Sequence, residues 1–94
     1  MNREDSVGLL AVSKAGHDKN EIFVIVREEG EYVWLADGQN RSVLKPKKKK
    51  KKHISLIKYF SDKELLDSLQ LKRECTDLTI KGAIKAYRKA LQEG

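Results

Sequence analysis

Residues 1–60 alternate short apolar runs with polar turn residues, a pattern typical of β-strands. Strands are predicted at Leu9–Val12, Glu21–Arg27, Tyr32–Ala36, Arg41–Lys45 and His53–Phe60. Glycine-containing turns separate several of these runs, and a proline follows the fourth and should end it or place it at a sheet edge. Five short strands in so few residues favour a small barrel over a sandwich, which needs more strands.

The last third of the chain changes to a helical pattern. Ser61 and Glu64 have capping-box spacing, which predicts a helix from Asp62 through Leu69. A second helix is predicted from Asp77 or Thr79 to about Gln92. Its apolar stripe comprises Ile80, Ala83, Ile84, Tyr87 and Leu91. The fold class is therefore mainly β with C-terminal α: a barrel in residues 1–60 and a helical extension in residues 61–94, whose docking on the barrel stays open.

The charge balance points to an anionic partner. The 94 residues suit one small domain, and their formal net charge is +6 with 36% charged residues, above the usual quarter. A positive field raises the local concentration of phosphates, so nucleic acid is one candidate partner and an anionic membrane surface is another.

The cysteine content and the N-terminal sequence indicate the cellular compartment of the protein. A single cysteine, Cys75, excludes a disulfide within the chain and a cysteine zinc cluster, and it favours a reducing compartment; we expect it to pack between the helices. The apolar patch Val7–Val12 is too short for a signal peptide or a membrane span. The sequence therefore predicts a cytoplasmic protein.

Six consecutive lysines, Lys47–Lys52, are the most conspicuous candidate site. Like charges repel, so the segment is expected to stay unpacked until an anion neutralises it. Each lysine suits a phosphate without reading a base, and we favour this role over a solvated linker; a nuclear-targeting signal also fits. Replacing all six by alanine is expected to flatten the salt dependence of RNA affinity without lowering the melting temperature.

Further candidate RNA-binding residues lie in loops or beside the lysines. They are Lys14, His17, Lys19, Arg41, Lys45 and His53, and the alternative for each is an ordinary polar surface residue. The two histidines are too isolated to indicate a metal site. No metal and no cofactor is expected.

Tyr32 and Trp34 share one face of their predicted strand. If that face is exposed, the two rings form a platform on which unpaired bases stack. If it faces the core, they are its largest members, and we favour the core for Trp34 because a small core needs large aromatic residues.

The second helix carries a basic ridge formed by Lys81, Lys85 and Arg88. We favour its interpretation as the ordinary solvent face of an amphipathic helix over that of a phosphate-binding ridge. The sequence has no glycine-rich phosphate loop and no recognisable nucleophile–base arrangement, so no enzyme is predicted.

The segment Ser13–Lys19, with Val12 before it and an alternating strand after it, resembles the KOW motif of RNA-binding proteins. Gly16 allows the sharp bend, because glycine takes positive φ without a Cβ penalty. Many members have glycine where this chain has Asn20, and asparagine tolerates the left-handed region next best. The chain is similar to the KOW-type large-subunit ribosomal proteins of archaea and eukaryotes, and the resemblance implies a five-stranded SH3-like barrel.

The expected function is non-catalytic RNA binding, and the resemblance implies ribosomal RNA or the translation machinery as the target. The basic residues would contact phosphate and sugar, with Tyr32 or His53 stacking on an unpaired base. The alternative is an adaptor that binds a transcription or translation factor. Membrane binding is not favoured, since no apolar anchor adjoins the lysines. The oligomeric state is open.

Overall fold

The part of the chain that the structure describes forms a five-stranded antiparallel sheet followed by two helices. The computed structural model describes residues 6–58, 60–70 and 75–93. Its elements are β1 (Leu10–Ser13), β2 (Ile22–Glu29), β3 (Tyr32–Ala36), β4 (Lys47–Lys50), a 3-10 helix (Lys51–His53), β5 (Ile54–Ile57), α1 (Lys63–Gln70) and α2 (Asp77–Glu93). The strand order is β4-β3-β2-β1-β5. The predicted fold class, mainly β with C-terminal α, is confirmed at this level.

The sheet is strongly curled. β4 and β5 are its opposite edges, yet only the 3-10 helix joins them. The four Cα steps from Lys50 to Ile54 reach at most about 15 Å. The edges of a flat five-stranded sheet would lie about 19 Å apart. The sheet must bend to bring its edges together, but within the described residues β4 and β5 share no ladder, so it is not closed into a barrel.

Alternation along the strands separates two apolar faces. The concave face buries Val7, Ala11, Phe23, Ile25, Val33, Leu35 and Ile54. The convex face contributes Leu10, Val24, Ala36 and Ile57, which pack against Leu65 of α1 and against Ile80, Ala83, Ile84 and Tyr87 of α2. The helices thus dock on the sheet, which the sequence left open, and together they cover one part of the convex face.

The predicted fourth strand, Arg41–Lys45, is wrong. These residues form a loop, and the strand starts after Pro46 instead. Carboxylates hold the loop in place. Asp37 Oδ1 accepts hydrogen bonds from the Gln39 and Arg41 amides at 2.9 and 2.8 Å. Asp77 at the start of α2 accepts one from Ser42 Oγ at 2.8 Å. These side chains offer the loop backbone partners that compete with a strand ladder.

The other strand boundaries shift by a few residues. β2 runs two residues further than predicted, to Glu29, and β5 ends at Ile57 instead of Phe60. Tyr59, within the predicted fifth strand, lies outside the described residues.

Both predicted helices form. The Leu65 amide donates to Asp62 Oδ1 at 3.1 Å, so the cap of α1 is Asp62, one residue after the serine of the predicted capping box. Four residues of the predicted α2 stripe are buried, but Leu91 is 52% exposed. Cys75 is half-buried against the helical core, as expected. Among the described helices, none has the length and apolarity needed to cross a membrane.

Candidate nucleic-acid interface

The lysine run forms an ordered edge strand. Lys47, Lys48, Lys49 and Lys50 pair with Leu35, Trp34, Val33 and Tyr32 of β3. The expectation that the run stays unpacked until it meets an anionic partner is therefore wrong. Because successive side chains of a strand point to opposite faces, the odd-numbered lysines of β4 point to the concave face and the even-numbered ones to the convex face.

The concave lysines are held by Asp18. Lys49 Nζ lies 2.6 Å from Asp18 Oδ1, 2.7 Å from Ser13 Oγ and 2.8 Å from the Ala15 carbonyl oxygen. Lys47 Nζ lies 2.6 Å from Asp18 Oδ2. Burial by itself would raise the pKa of Asp18, but hydrogen bonds from Lys47, Lys49 and Ser13 outweigh it and hold that pKa far below its usual range.

Lys51, in the 3-10 helix, is paired as well. Its ammonium contacts Glu28 Oε2, and Glu28 Oε1 accepts from the amide and hydroxyl of Ser6 at 3.1 and 2.5 Å. Burial would raise the pKa of Glu28, but these hydrogen bonds outweigh it and lower the pKa. The three odd-numbered lysines of the run are thus all paired with carboxylates of the fold, two of them with the same aspartate.

The even-numbered lysines of β4 join two aromatic residues on the uncovered part of the convex face. Lys48 Nζ lies 4.2 Å from the centroid of the Tyr32 ring and 5.6 Å from that of Trp34. The Arg27 guanidinium lies 4.5 Å from the Trp34 centroid. We call this surface, formed by Arg27, Tyr32, Trp34, Lys48 and Lys50, the cationic face.

Trp34 is therefore not a core residue, contrary to the sequence-based preference. It is half-buried and lies on the same side of β3 as Ala36, but two residues further from the helices. The helical core packs over Ala36, so Trp34 keeps contact with solvent and cations.

Arg27 is not among the candidate residues predicted from the sequence. A register irregularity between Ile25 and Arg27 places Arg27 opposite Trp34, on the convex face. Arg27 also pairs with Glu29 at 2.8 Å, with both side chains largely exposed. The irregularity has no marker in the sequence, since no glycine or proline lies near it.

Lys52 extends the basic surface beyond the strand. A groove at the β2–β3 turn is lined by Gly30, Glu31, Lys50, Lys51 and Lys52. The Lys51 amide donates to the Glu31 carbonyl at 2.8 Å and fixes the 3-10 helix against this turn. Lys50 contributes to both the groove and the cationic face, so the two surfaces are continuous.

The bend after β1 has the predicted backbone. Gly16 has φ 88° and Asn20 has φ 74°, so asparagine does occupy the left-handed region where many KOW motifs have glycine. Lys14, His17 and Lys19 are exposed. The Lys14 amide donates to the His53 carbonyl at 2.8 Å, which joins the bend to the 3-10 helix; the His53 side chain is half-buried.

The bend and the β3–β4 loop meet at the other end of β3. His17, Arg41 and Lys47 line one shallow groove there, but Asp18, Glu21 and Asp37 line it too. This groove therefore carries both positive and negative charge, unlike the even-numbered side of β4. Lys45 in the same loop is exposed and is not among the groove-lining residues.

No protein-family model matches the chain, and no curated protein matches it either. Among the described residues, no three histidine, cysteine, aspartate or glutamate side chains are grouped closely enough to hold a metal ion.

Proposed function

We propose that this protein is a non-catalytic RNA-binding protein whose main interface is the cationic face together with Lys52. The observation that carries the proposal is the register of β4, which turns Lys48 and Lys50 outward beside Tyr32, Trp34 and Arg27. Among the described residues, the ion pairs of the lysine run involve Lys47, Lys49 and Lys51 alone. The even-numbered lysines keep their charge for an external anion.

RNA fits this surface better than a simple polyanion does. Lysines supply phosphate contacts, and aromatic side chains supply stacking surfaces for bases, a combination found in proteins that bind single-stranded nucleic acid. A purely anionic partner would have no use for the two rings.

The KOW resemblance supports the same function and extends it to ribosomal RNA or the translation machinery. The strand order, and the 3-10 helix linking the two edge strands, fit a curled SH3-like fold. The left-handed φ of Asn20 fits the bend of the motif.

The test compares two triple variants that remove equal charge from different surfaces. Lys48, Lys50 and Lys52 are replaced by alanine in one variant, and the exposed Lys85, Arg88 and Lys89 of α2 are replaced in the other. RNA affinity is measured against salt concentration. The first variant is expected to reduce the slope of log affinity against log salt by about 2, because each lost phosphate contact removes about 0.7 for a single strand.

The α2 variant is expected to keep most of the slope. Equal reductions in the two variants would mean that RNA responds only to net charge, and they would remove the cationic face from the interface. Melting curves of both variants check that each remains folded.

A second candidate function is a protein adaptor that binds a transcription or translation factor. Leu44 and Leu78 are 87% and 78% exposed. Both lie beside the contact between the β3–β4 loop and α2, where the Val43 amide donates to Asp77 Oδ1 at 2.7 Å. A partner recovered from nuclease-treated lysate, and lost when both leucines are replaced by serine, would favour this function over RNA binding.

A further inference from the structure

We propose that the rings of Tyr32 and Trp34 form a slot for one unpaired base of single-stranded RNA, and that the Lys48 ammonium occupies this slot in the free protein. The inference rests on the proposed function and specifies its ligand as RNA with an exposed base. It assigns the two aromatic residues a role in recognition that electrostatics alone does not supply.

The spacing of the two rings suits a flat group. Tyr32 and Trp34 are two residues apart on β3, so their side chains leave the strand about 7 Å apart on the same face. A planar ring in contact with a ring on each side needs about 7–8 Å, because carbon atoms in contact lie about 3.5–4.0 Å apart. The Lys48 ammonium lies over both rings, which shows that each turns a face toward the same point.

A second cation also contacts Trp34, from the opposite side of β3. Arg27 belongs to β2 and Lys48 to β4, and these strands flank β3 on opposite sides. The Arg27 guanidinium lies 4.5 Å from the Trp34 centroid and comes from the β2 side of β3, whereas Lys48 comes from the β4 side.

A base can displace the Lys48 ammonium from the slot with little loss of free energy. Lys48 is exposed, and its flexible stem lets the ammonium leave the rings and contact the phosphate of the entering nucleotide. An exposed cation–π contact is weaker than base–aromatic stacking, so the exchange favours the base. Bases in a duplex are already stacked on one another, which restricts the slot to unpaired nucleotides.

Trp34 is the only tryptophan in the chain, so its fluorescence reports on the slot directly. Three ligands of equal length are titrated: an oligouridylate, the same strand with abasic residues, and a duplex. The oligouridylate is expected to quench Trp34 emission and to bind at least about fivefold more tightly than the abasic strand. Equal affinity and equal quenching by the two single strands would overturn the slot.

Substitutions separate stacking from charge. Tyr32→Leu is expected to weaken oligouridylate binding about tenfold and to leave duplex binding nearly unchanged, whereas Tyr32→Phe keeps the affinity for both. The matched control Lys50→Gln removes charge next to the slot and is expected to weaken both ligands alike. A Tyr32→Leu variant that melts like the parent and loses no selectivity for the single strand would contradict the inference.

The outcomes distinguish the two proposals. If the protein binds none of the three ligands at low salt, RNA binding itself fails. If it binds all three with the same affinity and the even-numbered lysines are required, RNA binding stands and the base slot fails.

Discussion

Lys49 of β4 and Asp18 of the bend after β1 form an ion pair of 2.6 Å across the concave face, although β3 and β2 lie between β4 and β1 in the sheet. Their side chains are only 9% and 12% exposed. The pair holds β4, an edge strand of the curled sheet, against the bend. One lysine run thus has two roles, since its odd-numbered members stabilise the fold while its even-numbered members face outward.

The first prediction concerns the two faces of β4. Lys49→Met is expected to lower the free energy of unfolding by about 2 kcal/mol, because it removes charged hydrogen bonds and leaves Asp18 with fewer donors. Lys50→Met, on the exposed face of the same strand, is expected to change it by less than about 0.5 kcal/mol. Urea unfolding measures both, and similar losses in the two variants would argue against a structural role for Lys49.

The ion pairs of the odd-numbered lysines revise the expectation that replacing all six lysines leaves the melting temperature unchanged. Three of them contact Asp18 or Glu28, so the sixfold alanine variant is now expected to melt at a lower temperature. A study of RNA binding should therefore replace only Lys48, Lys50 and Lys52.

The second prediction is a dependence of stability on pH. Asp18 and Glu28 have lower pKa values in the folded protein than ordinary carboxyl groups. Their stabilisation is fully present above the unfolded pKa values, near 4, and is lost as the pH falls toward the folded values. The midpoint temperature of thermal unfolding should fall steeply as the pH is lowered from 6 to 2. Asp18→Asn should flatten the curve, and an unchanged curve would exclude this carboxylate as its source.

The sequence predicted those parts of the structure that depend on residues close together in the chain. The strand β3, the two helices and the left-handed Asn20 all depend on nearby residues, and all were predicted within a few positions. The lysine strand was not predicted, because two of its lysines are paired with Asp18, which lies 29 residues from Lys47 and 31 from Lys49. Repulsion within the run is visible in the sequence, and its distant neutralising partner is not.

The candidate site was predicted in part for the same reason. The sequence shows that Tyr32 and Trp34 share a face, but the part of the sheet that the helices cover is decided by tertiary packing. Arg27 joined the site through a register shift in β2 that no residue type marks. Its position beside Trp34 could be learned only from the structure.

The third prediction concerns the contact between the β3–β4 loop and α2. Gly38 has φ 79°, and a Cβ atom there would overlap the Asp77 carbonyl oxygen and lie 3.1 Å from the Lys81 amide nitrogen. Gly38→Ala is expected to cost more than about 2 kcal/mol, combining steric overlap with backbone strain. Gly30→Ala is the matched control, since Gly30 has φ 58° with open space around it and should cost only about 1 kcal/mol. Thermal unfolding gives both values. Equal losses of stability in the two variants would mean that α2 moves away from residue 38 without a loss of stability.

The fourth prediction concerns Asn20, the residue of the bend that has left-handed φ without being glycine. Asn20→Gly is expected to change stability by less than about 0.5 kcal/mol, because easier left-handed φ is offset by greater freedom of the unfolded chain.

Asn20→Val should cost about 1–2 kcal/mol, since a β-branched residue resists the observed φ of 74°. The neighbouring Lys19→Val variant is the control, because Lys19 is exposed and Asn20 alone among the described non-glycine residues has positive φ. Chemical denaturation compares the three. If Asn20→Val costs no more than Lys19→Val, the bend does not depend on a residue that tolerates left-handed φ at position 20.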